Sequence, residues 1–262
     1  MKASGDNASP ALVRPNPQVR FWLFDFDNTI ARLEAEVDWA AGRRELETFL
    51  RAAGVADEIF VEIPKGNLPL YEALRARLSD ERTVHSISSD GAAKQTWGVN
   101  GEDLLRDASS MIEGYELAGI DRAEPSPGAL ELLEALVARG ARIAIVTSNS
   151  SRTVSRWLEH HNVSRLVSTI VGRDSLLALK PSPAMVVEAL RGFGADPGEA
   201  VFIGDSTADL EAAKAAGIGF YGIATAPAGR DRLTAAGASE IFASPAALGI
   251  CLGLPGTGSS SG

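Results

Sequence analysis

The chain has 262 residues, about twice the usual size of a single domain, so one large or two smaller domains are expected. Its 45% hydrophobic and 23% charged residues are typical of a globular protein and exclude extended disorder, collagen-like repeats and a disulfide-rich scaffold. A single cysteine, Cys251, excludes an intramolecular disulfide and a multi-thiolate metal site. Because there are only 3 histidines, any metal is expected to be a hard cation held by oxygen ligands, which points to magnesium.

The charge balance bears on partners and location. The chain carries 25 Lys and Arg against 34 Asp and Glu, a net charge of −9, which disfavours binding to nucleic acid or to an anionic membrane. The sequence lacks the run of about 18 apolar residues that a membrane span needs. Residues 1–18 are polar and proline-rich without the apolar centre of a signal peptide, so we expect a cytoplasmic protein. Residues 1–18 and 253–262 are interpreted as flexible tails.

The first predicted element is a strand over residues 21–24. It is apolar at every position rather than at alternate positions, as a parallel strand buried on both faces requires. Residues 33–124 then show helical patterns at 34–53, 70–78 and 102–117. An insert of roughly 90 residues is too long for a plain loop, so a second, helical domain is predicted there.

From residue 125 onward the sequence alternates between helical and strand patterns. Ser126-Pro127 can start a helix that Gly140 can stop. Further strands are predicted at 142–146, near 166–171, and at 200–203, 219–223 and 240–242, with helices at 152–161, at 183–191 and before Gly217. This alternation predicts an α/β fold with a Rossmann-like, doubly wound parallel sheet, whose ligands bind outside the carboxyl ends of the strands.

Two carboxylates, Asp25 and Asp27, follow the first strand directly. Along an extended chain they project toward the same side, so one could act as a nucleophile while the other transfers protons. The simpler alternative is an acidic loop or a helix-capping aspartate.

A second acidic pair, Asp205 and Asp209, follows the strand at 200–203. A spacing of four residues would put both on one face of a helix's first turn, close enough to share a divalent cation. The alternative is that they stabilise the helix N-terminus through its dipole.

Two further segments carry groups that suit a phosphate. Thr147-Ser148-Asn149 follows the strand at 142–146, and its hydroxyls and backbone amides match phosphate oxygens, although an N-cap for the next helix is the alternative. Lys180 lies in a loop stiffened by two prolines, where a cation could neutralise a phosphoryl group. Most lysines, however, are solvated surface residues.

Taken together and in this order, the four segments resemble the haloacid dehalogenase superfamily, in its magnesium-dependent phosphatase branch related to phosphoglycolate phosphatase. The resemblance covers about residues 19–30 and 125–252. It implies an α/β core of residues 19–32 and 125–252, with residues 33–124 in the position of an α-helical cap domain. Asn28 stands where the family often has glycine, and asparagine tolerates unusual backbone angles better than most residues.

The resemblance also implies a role for each residue. Asp25 would attack the phosphorus to form an aspartyl-phosphate, and Asp27 would protonate the leaving alcohol and then activate water. Lys180 and Thr147, with Ser148 as the alternative register, would hold the phosphoryl oxygens.

Magnesium would be bound by the Asp25 carboxylate, the backbone carbonyl of Asp27 and the side chain of Asp205, with Asp209 in support. The expected function is hydrolysis of a small phosphomonoester, which needs in-line positioning and charge neutralisation. A phosphomutase of the same fold, or a non-catalytic binding protein, are the alternatives. A true dehalogenase is disfavoured, because its chemistry needs neither Asp27 nor Asp205.

Overall fold

A computed structural model describes residues 19–87 and 100–255. Its strands form one sheet in the order β3-β2-β1-β4-β5-β6. The strands are β1 (Phe21–Phe24), β2 (Arg142–Val146), β3 (Thr169–Val171), β4 (Ala200–Gly204), β5 (Gly219–Ile223) and β6 (Ile241–Phe242). The helices are α1 (Trp39–Ala52), α2 (Glu58–Glu62), α3 (Asn67–Ile87), α4 (Gly101–Gly119), α5 (Ala129–Ala138), α6 (Ser151–His160), α7 (Ala184–Phe193), α8 (Thr207–Ala216), α9 (Pro227–Ala235) and α10 (Pro245–Cys251).

All neighbouring strands pair in parallel, so the predicted doubly wound parallel sheet is confirmed. The predicted strand near 166–171 is wrong in its first half, because residues 164–166 form a 3-10 turn. The Leu166 amide donates to the Val163 carbonyl at 2.9 Å, so the chain is still completing the turn after α6. Leu166 is buried, and its apolar character therefore reflects packing against the core rather than strand pairing.

The first strand is buried on both faces of the sheet. Phe21 and Leu23 belong to a hydrophobic cluster that includes α7 and α8 residues, whereas Trp22 and Phe24 belong to a second cluster with residues of α5, α6 and α10. Successive side chains of a strand point to opposite faces, which explains why all four positions are apolar. Helices therefore cover both faces of the sheet, as a doubly wound fold requires.

The insert after β1 is helical, as predicted, and consists of α1 to α4 in its described part. Its apolar residues Leu46, Leu74 and Leu104 lie in the same hydrophobic cluster as one face of the sheet. The chain enters and leaves the insert side by side, since the Arg32 amide donates to the Glu124 carbonyl at 2.9 Å. Three short helices, α2, α9 and α10, were not predicted. The division into a core and a cap domain stays a prediction.

The predicted tails lie mostly outside the described residues, as do residues 88–99 in the insert. The flexible C-terminal tail was predicted to begin at residue 253. Leu254 is nevertheless buried, and its amide donates to the Gly249 carbonyl at 2.9 Å. The packed chain thus continues past residue 252. None of the helices within 19–87 and 100–255 combines the length and apolar character that crossing a bilayer requires.

Candidate active site

The strand order reverses direction between β1 and β4, which lie side by side in the sheet. Doubly wound folds bind their ligands in the crevice at this point, outside the carboxyl ends of the strands. Asp25 follows β1 and Asp205 follows β4, so both lie at the mouth of that crevice. The Asp25 amide donates to the Ile203 carbonyl at 2.8 Å, which extends the pairing with β4 to Asp25 itself.

The Asp25 side chain is 10% exposed and contacts the ammonium of Lys180, with 2.5 Å between Nζ and Oδ1. Burial raises the pKa of this carboxyl to about 6, an effect that Lys180 opposes and Asp209 reinforces. Asp25 is therefore a buried carboxylate that a neighbouring cation keeps largely ionised near neutral pH.

Asp27 has a different environment. Its Oδ1 accepts hydrogen bonds from the backbone amides of Leu33 and Glu34, both at 2.9 Å. Burial raises its pKa to about 7, although these two amides lower it. Asn28 has a φ of 59°, a left-handed backbone angle that asparagine tolerates better than most residues. The turn holds Asp27 against the first residues of the insert.

Asp25, Asp205 and Asp209 form an acidic cluster, in which one carboxylate oxygen from each lies within 4.8 Å of the others. Asp209 is fully buried in the first turn of α8, where Oδ2 accepts from the Ser206 amide at 3.0 Å and the Ser206 hydroxyl at 2.7 Å. Its Oδ1 lies 2.5 Å from the Lys180 Nζ. Asp209 therefore stands at the helix N-terminus, as the alternative interpretation predicts, and there forms a capping box with Ser206. The helical-spacing argument is wrong for Asp205, which precedes the helix.

The cluster carries more negative than positive charge. Burial, together with repulsion from Asp25 and Asp209, raises the pKa of Asp205 to about 8. Burial alone would lower the pKa of the Lys180 ammonium, but Asp209 and Asp25 hold it above its ordinary value. Gly204 permits the close approach, because a Cβ there would lie 2.5 Å from the Asp209 Cγ. Crowded, buried carboxylates of this kind fit a hard divalent cation.

The loop after β2 contains the predicted phosphate-binding residues. Thr147 is 1% exposed, and its hydroxyl donates to the Asn149 Oδ1 at 3.0 Å and accepts from the Asn149 amide at 3.1 Å. Ser148 is half-buried. The N-cap of α6 is Ser150, whose Oγ accepts from the Thr153 amide at 3.1 Å. The N-cap interpretation of Thr147 and Ser148 is therefore wrong, and both keep their phosphate-binding role as a prediction.

Two buried charged residues next to this loop, Glu116 and Arg173, were not predicted. Both side chains are 0% exposed, and Oε1 and Nη1 lie 2.7 Å apart. Glu116 follows Ile112 at helical spacing on the buried face of α4. Arg173 comes just after β3, at the same edge of the sheet as Asp25. A charged residue at an apolar helical position, and another after a strand, were the available signals.

Comparison with known proteins agrees with this arrangement. The profile of the haloacid dehalogenase-like hydrolase family matches residues 77–223, more than half of the chain. A phosphoglycolate phosphatase of Rhodospirillum rubrum is 35% identical over 216 residues, covering 78% of this chain and 86% of that protein. A phosphoglycolate phosphatase of Pseudomonas putida is 28% identical over 209 residues, covering 80% of this chain and 71% of that protein.

The fold is also found in solved structures. CbbY from Rhodobacter sphaeroides, solved in complex with phosphate, has a TM-score of 0.58 at 23% identity and covers 90% of this chain and 100% of that one. This likeness supports the fold. The family profile and the sequence relatives show that the chain belongs to the haloacid dehalogenase-like hydrolases and is a phosphoric monoester hydrolase of that family.

Proposed function

We propose that the enzyme hydrolyses a small phosphomonoester through an aspartyl-phosphate on Asp25, in a magnesium-dependent reaction. The observation that carries the proposal is the buried contact of Asp25 with Lys180, beside the carboxylates of Asp205 and Asp209. A nucleophilic carboxylate, a cation for the phosphoryl oxygens and metal-binding acids thus meet at one edge of the sheet. Because the relatives from Rhodospirillum rubrum and Pseudomonas putida are phosphoglycolate phosphatases, phosphoglycolate is the first substrate to test.

In the first half-reaction a carboxylate oxygen of Asp25 attacks the phosphorus. The bond between phosphorus and the alcohol oxygen breaks, and Asp27 gives its proton to that oxygen. In the second half-reaction Asp27 takes a proton from water, which attacks the same phosphorus and releases inorganic phosphate and the Asp25 carboxylate. A pKa of about 7 suits Asp27, because the same carboxyl must act first as an acid and then as a base.

The transferred group needs charge neutralisation more than covalent assistance. Lys180, held in place by Asp25 and Asp209, supplies a positive charge that is fixed before the substrate arrives. Thr147 or Ser148 would donate a hydroxyl proton to the phosphoryl oxygens, together with backbone amides of the same loop. For Thr147 this requires the proton to turn from the Asn149 Oδ1 to the phosphoryl group. Residues 33–124 would act as a cap that excludes bulk water and selects the leaving group.

The residues present fit a magnesium ion. Asp25, Asp205 and the backbone carbonyl of Asp27 would hold it, and Asp209 would support the site through its contacts with Ser206 and Lys180. Bound magnesium would neutralise charge on the phosphoryl oxygens. Oxygen-only ligands favour magnesium over softer transition metals.

Magnesium binding is expected to compete with protons. The pKa values of about 6 for Asp25 and about 8 for Asp205 mean that the metal-free site binds protons near neutral pH. The cation needs the ionised carboxylates, so its affinity should rise between pH 6 and pH 8, by up to about tenfold per pH unit for each proton released. Calorimetric titration with magnesium in buffers of different ionisation enthalpy measures that release. An affinity independent of pH would contradict it.

The function itself is tested by phosphate release from a panel of phosphomonoesters, including phosphoglycolate, sugar phosphates and nucleotides, with magnesium and with EDTA. We expect magnesium-dependent release that EDTA abolishes and that restored magnesium recovers. Release that is unaffected by EDTA would contradict the metal requirement. A bisphosphorylated or isomeric sugar phosphate as product, without free phosphate, would favour the phosphomutase alternative.

A further inference from the structure

Glu116 and Arg173 form a fully buried ion pair between α4 of the insert and the segment that follows β3. We propose that this pair is a positioning device for the loop of residues 147–150, which it orients to receive the phosphoryl group of the substrate. The inference rests on the proposed function, since it assigns the loop to phosphate binding. Burying two charges is costly unless the geometry and the surrounding hydrogen bonds compensate, so both side chains need further hydrogen-bond partners.

The pair holds the loop through four hydrogen bonds. Arg173 donates from Nη1 to the Ser148 carbonyl at 2.6 Å and from its backbone amide to the Asn149 carbonyl at 2.9 Å. Glu116 accepts from the Asn149 Nδ2 at 3.1 Å and from the Ser150 amide at 3.1 Å. Three consecutive residues of the loop are thus tied to these two residues.

The constraint reaches the predicted phosphate ligand through Asn149. Glu116 fixes the orientation of the Asn149 amide, and the Asn149 Oδ1 then accepts the hydroxyl of Thr147 at 3.0 Å. The Asn149 backbone amide donates to the same hydroxyl oxygen at 3.1 Å. Asn149 thus sets the position of the Thr147 oxygen, and a phosphoryl oxygen would compete with the Asn149 Oδ1 for the single hydroxyl proton. Loss of the Glu116 carboxylate would free the Asn149 side chain to rotate, and would thereby change the position of the Thr147 hydroxyl without any substitution at Thr147.

The guanidinium is suited to this place in a way that an ammonium is not. Arg173 donates from Nε to the Ser109 hydroxyl at 3.1 Å and from Nη2 to the Ser109 carbonyl at 3.2 Å. Its Nη1 donates to the Glu116 carboxylate and to the Ser148 carbonyl. Its planar fork therefore bridges α4 and the loop simultaneously. It also neutralises Glu116, whose bare charge close to a phosphate-binding loop would repel a phosphate dianion.

The pair acts through the loop, so it is a positioning pair and its effect should fall on phosphate affinity. The variants are Arg173→Lys, Glu116→Gln, and the double variant Glu116→Gln with Arg173→Met. The double variant leaves no unpaired buried charge, so it tests the pair even if a single variant fails to fold. Arg156→Gln is the matched control. It breaks the exposed ion pair with Asp121, which also joins α6 to the end of the insert but does not contact the loop.

In each folded variant of the pair, we expect kcat/KM to fall by about 10- to 100-fold, because small displacements of positioning groups have effects of this size. The inhibition constant of inorganic phosphate should rise at least about tenfold, while the magnesium concentration for half-saturation changes less than about twofold, since no metal-binding residue is altered. Arg173→Lys should lose less than the double variant. The control should match the wild type, and thermal unfolding with near-ultraviolet circular dichroism identifies the folded variants.

Phosphate binding is also measured directly, by calorimetry with inorganic phosphate and magnesium. Folded variants that bind phosphate as tightly as the wild type, or a wild type that binds none, would overturn the inference. A wild type that binds phosphate but hydrolyses no substrate would instead overturn the proposed function. In that case the binding comparison between wild type and variants still decides the role of the pair.

Discussion

Asp25→Asn is expected to lower kcat by at least about 10⁴-fold, because a neutral amide cannot attack phosphorus as the Asp25 carboxylate does. The fold should remain intact. Asparagine has the same size, Lys180 keeps its contact with Asp209, and the crowding of carboxylates decreases. We expect the free energy of unfolding to change by no more than about 1 kcal/mol. Steady-state phosphate release and urea unfolding measure the two effects.

Two companion variants make this result specific. Asp27→Asn should still form the aspartyl-phosphate from p-nitrophenyl phosphate, whose leaving group needs no proton, and should then accumulate it because water is not activated. Mass spectrometry of the quenched enzyme detects that intermediate. Asp38→Asn should be fully active, since Asp38 caps the exposed start of α1 and asparagine caps equally well. An active Asp25→Asn enzyme, or an intermediate found on another residue, would remove Asp25 from its role.

The sheet was predictable because its signal is local. Phe21–Phe24 had to be apolar throughout to be covered on both faces, and the acids at its end had to face the crevice. The strand prediction failed around Leu166, because a residue buried against the sheet is apolar for the same reason as a residue in a buried strand. The helical insert was predictable from the helical spacing of its apolar residues, but α2, with 5 residues, is too short to show such a repeat.

The site was only partly predictable, for a physical reason. Asp25 and Asp205 follow strands that lie side by side, so topology alone brings them together. The ion pair of Glu116 with Arg173 joins residues 57 positions apart, and its meaning depends on how α4 packs against the loop. The sequence around a buried charged residue does not show which distant residue neutralises it. Asp209 shows a third case, because its capping of α8 and its contact with Lys180 use different oxygens of one carboxylate.

The insert contacts the predicted site at three places, once at Asp27 itself and twice at residues next to other predicted site residues. Its first residues donate to Asp27, as described above, and Glu116 holds the loop after β2. The third contact comes from Glu72 of α3, whose Oε2 accepts from the Leu179 amide at 3.3 Å, next to Lys180. Arg75 pairs with the other oxygen of Glu72 at 2.6 Å. A change in the position of the insert would therefore affect Asp27, the loop after β2 and Lys180 together, which is what the proposed gating by a cap requires.

Lys180→Met should have the second largest effect, on both activity and stability. Methionine is also long and unbranched but carries no charge, so the variant removes the ammonium that contacts Asp25 and Asp209. We expect kcat/KM to fall by about 10²- to 10³-fold, as for other groups that stabilise charge in a transition state. Removal of one partner from a buried ion pair should lower the free energy of unfolding by about 3–5 kcal/mol at pH 8 without a metal.

The stability loss should depend on pH and on magnesium. The pKa values of Asp25, about 6, and Asp205, about 8, are already raised, and losing Lys180 raises them further. A carboxyl with a raised pKa in the folded state is protonated below that pKa and repels its neighbours above it. The loss should therefore be smaller at pH 6 than at pH 8, and magnesium should restore part of it at pH 8, because the cation replaces the missing charge.

Urea unfolding at the two pH values, with EDTA or magnesium, measures this dependence. The control is Lys214→Met, because Lys214 is exposed in the last turn of α8 and its Nζ donates to the Ala236 carbonyl. That substitution should change the free energy of unfolding by no more than about 0.5 kcal/mol, as surface substitutions usually do. If Lys180→Met loses equal stability at pH 6 and pH 8, with or without magnesium, then Lys180 supports the fold by packing and not by balancing the charge of the buried carboxylates.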